Sequence, residues 1–355
     1  MHSIPTDTPR LGAVLRRALV LAALAGSVLG SAAHAQAVTP FYTPGDFMRS
    51  AYRFWYAPQA ASFAEQAAAL PAAITAVCER GDAAALAGAR ERWKATALAW
   101  DHLSGVQVGP LVQRRSSRQI DFTPTRPELI KRAIEKAPTD AAGMEVVGTP
   151  AKGLPALEWL LWKQPIAKAT PACSYAVQVA ADIEREAAAL NKAFAELAAK
   201  PPGDNEAAQV PALAELVNQW TGGLERLRWG EMEKPRLSRE AAFSRSASGQ
   251  TGARWAAQWK ALNTLGAAQG QTALRPGSAI APLETYMRGL GRDAPADQLA
   301  RAMGKADKAM RNLNVNNRAA VTSASRAIAD VKKVAEAEVA PAMEVSLGFS
   351  DADGD

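Results

Sequence analysis

The sequence predicts an all-α fold, and three observations predict it. Alanine-rich stretches with apolar residues three and four positions apart dominate the 355 residues, and alternating Val/Ile/Thr strand patterns are nearly absent. Helix-starting and helix-stopping residues bound these stretches, as where Gly81 closes one and Asp82 caps the next. At 48% apolar and 21% charged, the chain has the material for a large core or two ordinary domains. That balance excludes wholesale disorder, and 25 Gly, 22 Pro and 2 Cys fit neither a collagen nor a disulfide-dense scaffold.

The N-terminus comes first. Arg10, Arg16 and Arg17 precede the apolar run 18–25, and small residues lead to Ala33-His34-Ala35. This is the layout of a signal peptide over residues 1–35, cleaved near Ala35. An uncleaved anchor is the alternative, but the run is short for a membrane-spanning helix, and no later stretch approaches about 20 uninterrupted apolar residues. A soluble exported protein starting near Gln36 is expected, with no transmembrane segment after signal removal.

Removal leaves His102 as the sole histidine, and 38 basic against 34 acidic residues, or +4 instead of +6. So small a surplus, without a basic run, is no footprint for nucleic acid. Cys78 and Cys173 remain. In an oxidising compartment an even pair suggests one disulfide, whose long loop would stabilise by roughly 4 kcal/mol; two buried free thiols are the alternative.

The periodicity then places helices in order. A short one lies near Asp46–Tyr56, followed by Pro58–Arg80, closed by Gly81. Asp82 caps the next, which runs to about Leu103 with Trp93, Ala97 and Trp100 on one stripe. Residues 105–153 hold Gly109-Pro110, Thr123-Pro124, Arg126-Pro127 and Gly148-Thr149-Pro150, so much of this segment is expected to be loop, with a helix near Pro127–Ala137. Helices follow at Pro155–Trp162, Ala172–Lys200, Pro211–Glu233, Gly252–Ala268, Ile280–Leu290, Ala294–Asn312 and Asn316–Val345. Pro201-Pro202-Gly203-Asp204 breaks the series. The expected organisation is therefore a helical bundle over 36–200 and a second over 201–355. No residue-level repeat relates them, although a pseudo-symmetric arrangement is compatible with the division; one large irregular bundle is the alternative.

Few residues carry chemistry. In Gly153-Leu154-Pro155-Ala156-Leu157-Glu158-Trp159-Leu160-Leu161-Trp162, Gly153 permits a tight turn and Pro155 suits a first helical turn. Glu158 sits among large apolar residues, where a carboxylate needs a cation, a donor or a proton; a first-turn Glu favoured by the helix dipole is the bland reading. The end of the chain, Gly348-Phe349-Ser350-Asp351-Ala352-Asp353-Gly354-Asp355, alternates carboxylates like the start of a calcium loop but has no closing glutamate, so a solvated acidic tail competes. Arg114-Arg115-Ser116-Ser117-Arg118 and Ser244-Arg245-Ser246-Ala247-Ser248-Gly249 could each hold an anion or be ordinary polar turns. One histidine does not assemble a Ser/His/Asp or Cys/His nucleophile.

Taken in order, these pieces resemble the imelysin (imelysin-like peptidase) family of exported bacterial proteins. The resemblance rests on Gly153–Trp162, on Val108-Gly109-Pro110 with Arg118-Gln119-Ile120-Asp121-Phe122-Thr123-Pro124, and on Cys173-Ser174-Tyr175. Lys234-Pro235-Arg236-Leu237, Arg245-Ser246-Ala247-Ser248 and the segment from Val345 to Asp355 extend it over nearly the whole mature chain. It implies two helical bundles with a site between them, a location in the periplasm or cell envelope, a link to iron or haem acquisition, and a metallopeptidase motif G-x-H-x-x-E. Here the histidine position of that motif is Pro155, which offers a metal no lone pair. A hydrolytic zinc site commonly has at least one His or Cys among three protein ligands.

The expectation is therefore a non-catalytic protein binding a small ligand, metal ion, haem or peptide. Its ligand-binding residues would be Gly153, Pro155, Glu158, Arg118, Asp121, Arg245, Ser246 and Ser248. A divalent metal or iron, not required by the sequence, would use Glu158 or Asp353. A metallopeptidase with a non-standard ligand set, and an envelope partner-binding protein with a relic cleft, are the alternatives.

Overall fold

The computed structural model describes residues 1–3, 39–201, 203, 206–237, 242–268 and 275–348. The segment expected to be a signal peptide, beyond its first three residues, and Asp353 lie outside the described residues. Among those described there are helices and turns and no strand.

Thr43 opens the first helix through a capping box. Its hydroxyl accepts from Asp46 N at 3.0 Å, and Asp46 accepts in return from Thr43 N at 3.3 Å. From there the chain is helical almost without pause: α1 (Pro44–Ala51), a π-helical turn (Tyr52–Tyr56), α2 (Ala57–Ala68) and α3 (Leu70–Arg80). Two separate helices starting at Asp46 and Pro58 are thus one run. Pro58 falls just after the wide π-turn, a change of bonding pattern that accommodates a residue with no N–H to donate. By length and composition the run 44–80 could cross a membrane. Its Phe47, Tyr56, Phe63, Leu70 and Ile74, however, are buried in the protein's own core.

Gly81, left-handed at φ 68°, ends α3, and Asp82 caps α4 (Ala83–Leu103) by accepting from Ala85 N at 2.6 Å. The proline-marked segment after it is mostly helical rather than loop: α5 (Pro110–Gln113), α6 (Ser116–Ile120), α7 (Pro127–Lys136), α8 (Ala141–Glu145) and a 3₁₀ turn (Thr149–Ala151). Prolines occupy the first turn of three of these elements, where a missing N–H costs nothing. They begin short helices here instead of preventing them.

Next come α9 (Gly153–Glu158), a π-turn (Trp159–Lys163) and the long α10 (Pro171–Ala198). Cys78, near the end of α3, and Cys173, in the first turn of α10, form a disulfide across 95 positions. The helices stop at Ala198 and resume with α11 (Glu206–Glu225), which carries Pro211 inside it rather than at its start. In its second turn this proline forfeits the single backbone bond to residue 207. A π-turn (Arg226–Glu233), α12 (Lys234–Leu237), α13 (Thr251–Gly266), α14 (Leu283–Gly289), α15 (Asp293–Arg311) and α16 (Arg318–Val334) follow, then a π-turn (Ala335–Val339) and α17 (Ala340–Ala342).

One apolar core runs continuously from Tyr42 to Met343, with Trp93, Trp100, Trp220 and Trp255 fully buried. Close backbone approach joins the early and late parts of the chain. A Cβ at Gly105, just after α4, would lie 2.6 Å from Ala261 Cβ on α13. This junction positions the polar cluster described next.

Candidate functional site: a buried ionic lock

The six residues of α9 are all buried. Gly153 begins the helix at φ 76°, and a Cβ there would stand 2.4 Å from Ile120 O and 2.8 Å from Gln119 O. Only glycine lets α9 start against the end of α6, which places Asp121 and Glu158 in one region of the fold. Pro155 takes the third position of α9 without loss, since a first-turn N–H has no intrahelical partner. At the other end of the same stretch, Arg90 donates from Nε and Nη2 to Leu161 O at 2.9 and 2.7 Å and lies over the Trp162 ring.

Glu158 is 6% exposed and its partner comes from the opposite part of the chain. Ser248 donates to Glu158 Oε1 from its backbone N at 2.8 Å and from its Oγ at 2.7 Å. Burial with two donors replaces the water that this carboxyl gives up. The loop carrying Ser248 is itself tied: Gln250 N donates to Arg245 O at 2.9 Å, and Thr251 Oγ1 to Ser244 O at 2.8 Å.

Arg245, on the same loop, has the unusual φ of 63°. Its side chain is almost fully buried and meets Asp121 Oδ1 at 2.9 Å and Asp101 Oδ1 at 3.5 Å. The guanidinium also stands 5.3 Å from the centre of the Trp93 ring. Left-handed backbone in a non-glycine residue is held only by surrounding contacts, and here these are two carboxyls and an indole face. Arg254, in the first turn of α13, completes the network. Its Nη1 pairs with Asp101 Oδ1 and, at 2.6 Å, with Asp121 Oδ2, while Nη2 meets Glu231 Oε1 at 2.7 Å. Trp100 Nε1 donates to Asp121 Oδ2 at 3.2 Å.

Two guanidinium groups therefore serve Asp101 on α4, Asp121 after α6 and Glu231 at the end of α11's π-turn. Burial pushes the Asp101 carboxyl up to about 6, against the opposing pull of Arg254 and Arg245. For Asp121 burial acts in the same upward sense, but Arg245, Arg254 and the hydrogen bonds outweigh it and leave the group below its usual value. Arg254 is held protonated: burial disfavours the charge, and Asp121, Glu231 and Asp101 more than compensate.

Of the residues singled out in the sequence, the structure brings Gly153, Pro155, Glu158, Asp121, Arg245 and Ser248 into this region. Ser246 faces outward instead, lining with Arg236, Phe243 and Arg318 an open depression of about 500 Å³. Arg118 is exposed and borders a separate cleft of about 500 Å³ with Gln107, Arg115, Gln219 and Arg226. His102 is half-buried with no hydrogen-bond partner at Nδ1, and burial, then Lys260, lowers its basicity.

Asp101, Glu231 and Arg254 were not legible as site residues. The available signal was a lone charge beside a tryptophan in a helix: Asp101 follows Trp100, Arg254 precedes Trp255, and Glu231 lies two positions after Trp229. Trp93 and Trp100, read as core, are also polar partners of the lock.

A metal implied by G-x-H-x-x-E does not fit this donor set. Pro155 has no lone pair to give, and Glu158 Oε1 already accepts two hydrogen bonds. Asp101, Asp121 and Glu231 are engaged by arginine, although Glu231 Oε2 has no hydrogen-bond partner. Among the described residues no group of three or more His, Cys, Asp or Glu side chains is placed to hold a metal ion.

Fold and site together define an all-α protein whose early and late helices are joined by a buried ion-pair network around a short glycine-led helix. The sequence matches the Imelysin family over residues 56–342, and the chain belongs to that family. Two solved structures are similar to it. An imelysin-like protein from Psychrobacter arcticum 273-4 has a TM-score of 0.67 at 17% identity, with 88% of this chain and 99% of that one covered. A putative iron-regulated protein A precursor from Parabacteroides distasonis ATCC 8503 has a TM-score of 0.67 at 14% identity, covering 84% and 95%. At these identities the likeness is one of fold. No curated protein matches the sequence.

Proposed function

We propose that this imelysin-family protein is an exported binding protein and not a hydrolase. It takes a small ligand, metal complex, haem or peptide over the loop that carries Arg245, Ser246 and Ser248, in the service of iron or haem uptake. The observation that carries the reading is the commitment of the buried carboxyls. Ser248 donates twice to Glu158, and Arg245 and Arg254 hold Asp101, Asp121 and Glu231. Each oxygen so engaged already serves a donor or a guanidinium, which disfavours metal ligation and proton abstraction there. The open depression at Ser246 and Phe243 supplies room for a ligand directly outside the lock. The iron connection draws on the description of the Parabacteroides protein as iron-regulated, and export on the basic, apolar and A-x-A order of residues 10–35.

The test uses untagged, purified protein. Haem, ferric citrate and a tripeptide mixture are titrated against the fluorescence of Trp159 and Trp162, and casein cleavage is followed with and without zinc. Saturable binding of one probe, weakened by Glu158→Gln, with no cleavage in any condition, is the expected result. Chelator-sensitive cleavage abolished by Glu158→Ala would overturn the reading, as would failure of all three probes to bind. Binding that Glu158→Gln leaves unchanged would refute the site assignment.

A further inference from the structure

The helical hairpin of α15 and α16 separates its charges in a way the buried lock does not use. All its acidic groups are engaged: Asp293 and Asp297 by Arg288, Asp307 by Arg311, and Asp330 by Lys333. Arg301, Lys305, Arg318 and Arg326 are exposed, and none makes an ion pair among the described residues. These four cations line one open groove of about 870 Å³ between the two helices, where Asp330 is the sole carboxyl. Like charges gathered on one face repel each other and create a field that favours an anionic occupant.

We propose that this groove docks an extended acidic segment of a partner protein, with carboxylates at alternating positions. The spacing supports it. Arg301 and Lys305, four residues apart on α15, are about 6 Å apart along the helix axis, as are Thr322 and Arg326 on α16. Alternate side chains of an extended peptide repeat every ~6.7 Å on one face. From Arg318 to Val334 the α16 wall runs about 24 Å, room for roughly seven extended residues. Ala302, Ala319 and Ala327 are small enough to let a backbone approach, and Ser323 and Gln298 offer it hydrogen bonds, while Thr322 Oγ1 already accepts from Arg236 Nη1 at 3.2 Å. No aromatic ring lines the groove, which removes the stacking by which proteins hold nucleobases. Its apolar lining is limited to three alanines and Val334, without the large apolar anchors of a membrane-seeking face.

The experiment measures fluorescence anisotropy of a labelled twelve-residue peptide of alternating Glu and Ala, against the full protein at low salt. A peptide of alternating Gln and Ala serves as the uncharged control. Saturable binding of the Glu peptide alone is expected. Arg301→Glu with Lys305→Glu should weaken it at least about tenfold. The remote pair Lys131→Glu with Arg132→Glu, of equal charge change, should alter it less than about twofold. Arg301→Gln with Lys305→Gln gives the same direction should the reversal disturb folding, which circular dichroism reports. No binding, or equal loss in the remote pair, would overturn the proposal. So would groove-dependent binding of phosphatidylglycerol vesicles without binding of the peptide.

Discussion

Replacing Arg254 by Met gives the sharpest test of the ionic lock, because the apolar stem remains while three carboxyls lose their shared cation. Removing one partner of a buried ion pair typically costs about 3–5 kcal/mol. Here one guanidinium touches Asp101, Asp121 and Glu231, so a loss near the top of that range, about 5 kcal/mol, is expected at pH 7.5. The pH dependence separates this mechanism from simple loss of packing. The folded pKa of Asp101 is raised from 3.8 to about 6 even with Arg254 present. A raised carboxyl adds stability that is full below the unfolded value and is lost as pH rises through the folded value. Without Arg254 the folded values of Asp101 and Asp121 climb further, so the variant's deficit should shrink as these groups take up protons. Lowering the pH from 7.5 to 5 should recover about 2 kcal/mol of it. Urea unfolding followed by tryptophan fluorescence and circular dichroism at both pH values reads the difference. A deficit below about 1 kcal/mol at pH 7.5, or one identical at pH 5, would refute the account.

Further expectations follow from the same geometry. Asp101→Asn removes the group titrating near 6, so the contribution of this carboxyl, a loss of stability as pH rises from about 4 to 6, should be absent from the variant when urea midpoints of the two proteins are compared across that range. Gly153→Ala places a methyl against Ile120 O at a φ of 76° and should cost at least about 2 kcal/mol in the same assay; a neutral result would mean that α9 starts elsewhere. Reducing the Cys78–Cys173 bridge, which spans 95 positions, should cost about 4 kcal/mol and lower the melting temperature; an unchanged thermogram under reductant would contradict it. Ser248→Ala leaves the backbone donor to Glu158 but removes the hydroxyl, for a loss of about 1–3 kcal/mol by chemical denaturation.

The helical class was legible because periodicity and caps are local: Asp82 and Gly81 act as their types suggest, and α10 begins where Thr170 caps it through Cys173 N. Proline misled in both directions. At Pro110 and Pro150 it opens short helical elements inside a segment expected to be loop, and at Pro127 it opens the helix expected there, while Pro58 and Pro211 sit within helices expected to begin at them. In each case the outcome depends on whether the residue four positions earlier has a bond to lose, which composition does not reveal. The site was half visible. Glu158, Arg245 and Ser248 belong to recognisable strings, but Asp101, Glu231 and Arg254 are single charges inside apolar helices. What makes them a site is separation in sequence closed by the fold: 153 positions between Asp101 and Arg254, and 90 between Glu158 and Ser248.

That separation has a consequence for how the chain can be divided. Asp101, Asp121 and Glu158 all precede the helix break at Pro201, and both arginines of the lock follow it. Until the loop at Arg245 and the first turn of α13 are made, Asp101 and Asp121 have no guanidinium partner and Glu158 lacks its donor on Ser248. A fragment ending at Pro201 would have to open a water path to three carboxyls that the whole protein seals. However clearly proline marks a boundary along the sequence, a cut there would separate carboxyls from the guanidinium groups that they meet in the whole chain.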